Sequence, residues 1–167
     1  CDLVTHMVGE FPELQGQMGE HYALSSGEGP DVARAIGEHY LPKFAGDEIP
    51  SSVAGQFVSI ADRADTLVGI FAAGLKPSGN KDPFALRRAA LGLLRILLEA
   101  ELPLSPRKVL EIAAEKLSDQ IEIDGALIDD VLGFVVERLR HFYTEKGYET
   151  ELVNAALASP WTTLPDL

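Results

Sequence analysis

Basic side chains concentrate in one short part of this sequence, between residues 76 and 95. The whole chain of 167 residues carries 26 acidic and 14 basic side chains, a net charge of −12. In this segment one acid, Asp82, accompanies five basic residues: Lys76, Lys81, Arg87, Arg88 and Arg95. Lysine and arginine contact the phosphates of nucleic acids, and such contacts depend little on base sequence. The segment is therefore the part of the chain best suited to bind a polyanion.

The spacing of the three arginines suggests how they are presented. On a helix, Arg88 and Arg95 are seven residues apart and lie almost on one line, with Arg87 about 100° away. All three can then emerge along one edge of the helix. Lys76 and Lys81 fall in the loop before it, near the helix N-terminus, where exposed amides attract anions. A structural role, in which the arginines pair with acids of neighbouring helices, is equally compatible with the sequence.

Two carboxylates, Asp62 and Asp65, form a second candidate site. They are three residues apart in the stretch ADRAD, so they are neighbours on the surface of a predicted helix. Carboxylates placed in this way can hold a divalent cation, but such a site needs three or more converging ligands, and spacing alone supplies no third. A solvated helix face, or an ion-pair patch around Arg63, is therefore the favoured interpretation.

Other motifs of enzyme chemistry are missing or weak. GEHY occurs at 19–22 and at 37–40, but SSGEGP separates the copies, so chance recurrence explains them better than a duplicated site. The sequence contains no HExxH, paired CxxC, P-loop or GxSxG motif. The only cysteine, Cys1, has no histidine partner close in sequence, so nucleophilic catalysis by this thiol is not supported.

Helices with three-to-four-residue apolar spacing account for nearly the whole chain and predict an all-α fold of seven or eight helices. Proline marks four possible helix starts: Pro12, Pro30, Pro83 and Pro106. The predicted caps are Ser51 or Ser52, Asp82 and Ser105. The later helices are predicted at 53–74, 84–99, 106–118, 125–145 and 148–158. We expect a compact helical core over 1–100, including KDPFALRR, and a second helical layer or linker over 101–167.

The distribution of charge limits the possible partners. Residues 1–65 hold eleven acids and three bases, residues 109–167 hold twelve and four, and residues 66–108 hold three acids and seven bases. Most of this surface repels phosphate, so any contact with a nucleic acid must be local to the middle segment. No apolar run is long enough to span a bilayer, and no secretory signal is expected.

Three stretches of the chain resemble one known family. DLVTHMVGEFPELQGQMGEHYA, HYLPKFAGDEIPSS and ADRADTLVGIFAAGLKPSGNKDPFALRRAALGLLRIL are similar to the β subunit of bacterial glycyl-tRNA synthetase, the type with separate α and β chains. GYETELVNAAL, at 147–157, extends the likeness to nearly the whole chain. The resemblance implies a tRNA-binding or structural portion of a glycine–tRNA ligase, which supports ATP-dependent glycylation of tRNA(Gly) on the α subunit.

The resemblance also implies the setting of this segment. It would be an internal part of a longer β chain, without the N-terminal modules and the C-terminal anticodon-binding module. ATP and magnesium would bind on the α subunit, so no cofactor and no catalytic residue is expected here. The implied partners are the α subunit, a second β subunit in a tetramer of two α and two β chains, and tRNA(Gly) in the cytoplasm. No membrane and no DNA partner is expected.

Finally, the resemblance implies an HD-domain-like helical bundle with additional C-terminal helices. Metal-dependent HD phosphohydrolases gather a histidine, a His-Asp pair and a later aspartate. Asp2 and Asp62 resemble the two aspartates, while Cys1 replaces the histidine of the pair. A neutral thiol is a poor ligand for a hard cation, so we expect a degenerate site without metal. A working phosphohydrolase and a purely architectural packing domain remain the alternatives.

Overall fold

The computed structural model of the chain describes residues 2–159 and 163–164. Within these residues it is helical and contains no strand, which confirms the predicted all-α class. The described part of the chain forms one short 3-10 helix, Pro12–Leu14, and eight α-helices. These are α1 (His6–Glu10), α2 (Gln17–Ser25), α3 (Pro30–Glu38), α4 (Val53–Ala72), α5 (Leu86–Glu99), α6 (Pro106–Leu117), α7 (Leu127–Glu145) and α8 (Thr150–Ala158).

Local sequence signals account for most of the helix starts. Pro30 and Pro106 occupy the first turns of α3 and α6, as predicted. The hydroxyl of Ser105 accepts a hydrogen bond of 3.4 Å from the amide three residues later. The hydroxyl of Ser52 does the same at the start of α4, at 3.0 Å. Each of these bonds satisfies a backbone donor that the helix itself leaves unpaired.

The chain divides into two compact units between Asp62 and Arg63, inside α4. The sequence analysis placed the division near residue 100 instead. The reason for the difference is α5, which was assigned to the first part but packs against α7 in the second unit. A helix that is apolar on most sides becomes the core of the unit whose helices cover it.

The first unit, Cys1–Asp62, has a thin core built largely of small residues. Helices α2 and α3 pack together in it. Two glycines make this close approach possible. A Cβ on Gly19 would lie 2.7 Å from Ile36 Cγ2, and one on Gly37 would lie 2.6 Å from Glu20 Oε2. Both GEHY segments therefore contribute a glycine to this helix pair, a packing role that the sequence analysis missed.

The second unit, Arg63–Leu167, is organised around α7, against which α5, α6 and α8 pack. Helix α5 contributes most to the core, with eight buried residues: Leu86, Ala90, Gly92, Leu93, Leu94, Arg95, Ile96 and Leu97. Among the described residues, no helix combines the length and the apolarity that crossing a membrane requires. The second half of the basic segment, from residue 86 to 95, therefore belongs to the helix that forms much of this core.

Candidate nucleic-acid interface

The loop between α4 and α5 contains a tight turn that carries Lys81. The Ser78 amide donates to the Lys81 carbonyl over 3.1 Å, and the Lys81 amide donates to the Ser78 carbonyl over 2.9 Å. Gly79, the first of the two central residues, has a φ of +52°, which glycine adopts without strain. We call residues 78–81 the Lys81 turn.

Asp82 caps α5, but in a different way from the prediction. Its Oδ1 accepts a hydrogen bond of 2.8 Å from the Leu86 amide, and its Oδ2 accepts one of 2.9 Å from the Arg87 amide. The helix therefore begins at Leu86 and not at residue 84, because Ala85 lies in the left-handed region with φ 53° and ψ 37°. The Asp82 carboxylate already occupies these two amides, which disfavours a bound anion beside them; the expected attraction of an anion to the α5 N-terminus stays a prediction.

Lys76 is paired with an acid that lies far from it in sequence. Its Nζ donates a hydrogen bond to the carboxylate of Asp130, on α7, and both side chains are about half exposed. The Lys76 ammonium also lies 5.6 Å from the centre of the Phe71 ring. These two contacts hold the start of the loop against α7 and the end of α4.

Arg87 points back toward the Lys81 turn. Its Nη2 donates a hydrogen bond of 2.6 Å to the Gly79 carbonyl, while its Nη1 lies 3.9 Å from Asp82 Oδ2. The side chain is 32% exposed. Arg87 is thus reachable from solvent, but its guanidinium already has a backbone acceptor and a nearby carboxylate.

Among the residues that the structure describes, Lys81 and Arg88 are the two exposed cations of this segment that have no carboxylate partner. Both side chains lie at the surface, and neither forms an ion pair with any residue in the parts of the chain that the structure describes. Lys81 ends the turn, and Arg88 belongs to the first turn of α5. The two side chains can therefore meet a phosphate without first breaking a salt bridge.

The prediction that Arg95 shares an exposed edge with the other arginines is wrong. Arg95 is only 7% exposed, and its guanidinium pairs with Glu99 over 2.6 and 3.0 Å. Helical spacing does place Arg88 and Arg95 on one line. However, α5 enters the core along its length, and all residues from 92 to 97 are buried. The face of α5 that is exposed at Arg88 is therefore buried at Arg95, seven residues later.

Asp2 has a structural role in the first unit. Its Oδ2 accepts hydrogen bonds from the amides of Gly16, at 2.7 Å, and Gly19, at 2.8 Å, and its Oδ1 accepts one from the Tyr40 hydroxyl at 3.0 Å. Burial by itself raises the pKa of the Asp2 carboxyl, but these hydrogen bonds outweigh it and leave the pKa below its ordinary value. Asp2 is therefore an ionised cap at the start of α2.

The other positions of the expected HD-type site are Asp62 and Cys1, and Asp65 belongs to the candidate carboxylate pair with Asp62. Asp62 and Asp65 are exposed on α4, consistent with a solvated face, and Arg63 between them is buried. Cys1 lies outside the described residues. Among the residues that are described, no group of three or more histidine, cysteine, aspartate or glutamate side chains is arranged to hold a metal ion. The degenerate site remains a prediction.

The sequence analysis missed two acceptors that shape the basic segment, the Asp130 carboxylate and the Gly79 carbonyl. Asp130 is 54 residues away from Lys76, and several other acids of the same region were equally good candidates. The glycine of the Lys81 turn was a detectable signal for a tight turn. No local pattern indicates that an arginine eight residues later donates to it.

Comparison with known proteins identifies the family. The model of the family described as glycyl-tRNA synthetase beta subunit matches residues 1–158. A protein of Chromohalobacter salexigens named glycine–tRNA ligase beta subunit is 52% identical over 162 residues, which cover 97% of this chain and 23% of the relative. Proteins of the same name from Cronobacter sakazakii and Ralstonia nicotianae are 48% and 49% identical; the matches cover 95% and 100% of this chain and 23% and 24% of the relatives. The chain spans about a quarter of the length of these curated relatives, and it belongs to the glycyl-tRNA synthetase beta subunit family.

Proposed function

We propose that this chain is the portion of a bacterial glycine–tRNA ligase β subunit that contacts tRNA(Gly) through its phosphates. In this proposal ATP, magnesium and glycine bind on the α subunit, and no residue of this chain takes part in the chemical step. The assembly is a tetramer of two α and two β chains in the cytoplasm. Family membership and the shared name of the relatives support the proposal.

The observation that carries the proposal is the exposure of Lys81 and Arg88 in the middle of an acidic protein. Among the described residues neither has a carboxylate partner, so a phosphate that approaches them displaces only water. Phosphate contacts of this kind orient a nucleic acid without reading its bases. They suit A-form RNA, which proteins recognise largely through its backbone and shape.

An architectural role is a second candidate, and one observation in the first unit favours it. Large apolar side chains are exposed there at the start of the chain: Val4 is 94% exposed, Leu3 60%, Phe11 50% and Met7 39%. Apolar groups that are grouped in this way usually mark a surface that packs against another polypeptide. Such packing and phosphate contact involve different residues, so both roles can coexist.

The test is tRNA binding by the complete enzyme that carries Lys81→Ala together with Arg88→Ala. Each phosphate contact that is lost lowers the slope of log K against log salt by about 0.7–0.9, so the double variant should lose about 1.5. Its affinity near 0.1 M salt should fall about tenfold or more. The measurement is a tRNA titration at several salt concentrations.

A variant with the same change in charge serves as the control. Lys108→Ala with Lys116→Ala also removes two exposed cations, each of which lies beside a glutamate of its own helix. We expect this control to keep a slope close to that of the parent enzyme. If the slope and affinity of the Lys81/Arg88 variant equal those of the control, the proposed phosphate contact is rejected.

A further inference from the structure

We propose that Lys76 and Arg87 are positioning residues, which hold the Lys81 turn so that Lys81 meets a phosphate, and do not bind phosphate themselves. The inference rests on the proposed function and divides its basic residues into two classes. Lys81 and Arg88 contact the nucleic acid. Lys76 and Arg87 act through the turn, at its two ends.

Arg87 holds the turn from the helix side. Its guanidinium donates to the carbonyl of Gly79 over 2.6 Å, so the first turn of α5 is tied directly to the centre of the Lys81 turn. Asp82 adds a second connection between the turn and the helix. It follows Lys81 directly in the chain, and its carboxylate accepts hydrogen bonds from the amides of Leu86 and Arg87. The backbone on the C-terminal side of Lys81 is therefore fixed to the start of the helix.

Lys76 holds the same loop at its other end. Its pair with Asp130 joins the residues before the turn to α7, and the nearby Phe71 ring adds a second contact 5.6 Å from the ammonium. Both members of the ion pair are about half exposed. Exposed pairs contribute only about 0–1 kcal/mol to stability, so this contact serves to restrict the loop more than to stabilise the fold.

The partners of Lys76 and Arg87 also explain why these side chains are poor phosphate ligands. A phosphate at Lys76 has to compete with the Asp130 carboxylate, and one at Arg87 has to approach Asp82, whose Oδ2 lies 3.9 Å from the guanidinium. Like charges at such distances repel strongly at partly buried positions. Among the described residues, no ion pair places a carboxylate of this kind beside Lys81 or Arg88.

The two roles of Lys76 predict opposite outcomes for one substitution, Asp130→Asn. If Lys76 were a phosphate ligand, loss of its competing carboxylate would strengthen tRNA binding. If Lys76 is a positioning residue, the loop loosens and binding weakens. We expect the complete enzyme with Asp130→Asn to bind tRNA at least about threefold more weakly than the enzyme with Asp129→Asn.

Asp129→Asn is the matched control, because it removes the same charge from the adjacent position and breaks a different ion pair, to Arg107. Asp130→Glu keeps the charge and should restore most of the binding. Binding by the Asp130→Asn enzyme that equals or exceeds that of the Asp129→Asn enzyme overturns the inference for Lys76.

A double-mutant cycle tests Arg87 in the same enzyme. If Arg87 acts through the turn, Arg87→Ala and Lys81→Ala each lower the affinity for tRNA. The double variant then has the same affinity as whichever single variant binds tRNA less tightly. If Arg87 contacts a phosphate of its own, the losses in salt slope add, at about 0.7–0.9 for each residue. Additive losses overturn the inference for Arg87 and leave the proposed function intact.

A measurement without RNA separates the two proposals. Exchange of the Ser78 and Lys81 amides, both hydrogen-bonded in the turn, should become several-fold faster in Arg87→Ala and in Asp130→Asn. It should stay unchanged in Arg107→Ala. Unchanged exchange in the first two variants overturns the positioning role. Faster exchange combined with normal tRNA binding by the Lys81/Arg88 variant would show that Arg87 and Asp130 restrain the turn, but it would reject the proposed function and, with it, the positioning of Lys81 for a phosphate.

Discussion

At the scale of single residues, two carboxylates of the first unit are used to hold helix ends. Asp2 accepts from two amides at the start of α2 and from Tyr40. Glu38 accepts from the hydroxyls of Ser51 and Ser52 and from the Ser52 amide before α4. For both carboxyls burial opposes ionisation, but the hydrogen bonds outweigh it and leave the pKa below its ordinary value. Both groups stabilise the fold in their charged form.

Asp2 leads to a prediction about stability and its pH dependence. Asp2→Asn should lower the free energy of unfolding by about 2–3 kcal/mol near pH 7, because hydrogen bonds to a charged group are lost. The folded-state pKa of Asp2 is lowered, so its stabilisation is present above the unfolded pKa and disappears as the pH falls through the folded pKa. The difference between parent and variant should therefore narrow below about pH 4. Urea unfolding of the parent and of Asp2→Asn at several pH values measures this difference in the free energy of unfolding.

Asp62→Asn is the control for this prediction. Asp62 is exposed on α4, so its substitution should change the free energy of unfolding by less than about 0.5 kcal/mol. A difference between the parent and Asp2→Asn that stays constant down to pH 3 would contradict the assignment of Asp2 as an ionised cap.

At the scale of elements, the contact of the Arg63 side chain with α5 depends on the absence of a side chain at one position. Gly92 is buried on α5, and a Cβ there would lie 2.4 Å from Nε and 3.2 Å from Cδ of Arg63. Arg63 is itself only 7% exposed on α4. The long arginine side chain therefore lies directly against the glycine, in the space that a Cβ would need.

We expect Gly92→Ala to destabilise the chain by about 1–3 kcal/mol, because the methyl group forces the buried Arg63 side chain to move. This loss exceeds the gain of up to about 1 kcal/mol that alanine gives in a helix interior. Gly133→Ala on α7 is the matched control, since a Cβ there has no neighbour within 4 Å and alanine should be stabilising. Thermal or urea unfolding of both variants measures the change in the free energy of unfolding. Equal effects of the two substitutions would contradict the packing argument.

At the scale of the whole molecule, negative charge is concentrated in the first unit. Residues 1–62 hold ten acidic and two basic side chains, and residues 63–167 hold sixteen and twelve. Repulsion among like charges destabilises a compact state, and dissolved salt screens it over about 10 Å at 0.1 M. The surface ion pairs of the second unit contribute little to the free energy of unfolding, so their screening by salt should cost little stability.

The chain should therefore become more stable as salt is added. We expect the thermal midpoint to rise by about 2–4 °C between about 10 mM and 300 mM NaCl, equivalent to about 1 kcal/mol for a chain of this size. Glu10→Gln with Glu48→Gln, which removes two exposed acids of the first unit, should show a smaller rise. A midpoint that falls with added salt would mean that ion pairs dominate over repulsion.

Features that depend on neighbouring residues alone could be predicted from the sequence. The helical periodicity, the prolines that begin α3 and α6, and the cap Ser105 were correct. The structure selects Ser52 from the two serines that the sequence left open as the cap of α4. The predicted start of α5 was wrong. The helix begins at Leu86, after Ala85 in the left-handed region, a conformation that alanine normally avoids. There the packed structure overrides local preference.

The sequence by itself determined the all-helical class and the presence of a basic segment in an acidic chain, because these follow from short-range patterning and from composition. The resemblance of its long motifs to known sequences indicated the family. Only the tertiary structure decided which of the five cations face solvent. Arg95 is buried with the core of α5, Lys76 meets an acid 54 residues away, and Lys81 and Arg88 remain exposed. The physical reason is that exposure and ion pairing depend on which helices come together in space, and helical spacing records only which residues share a face.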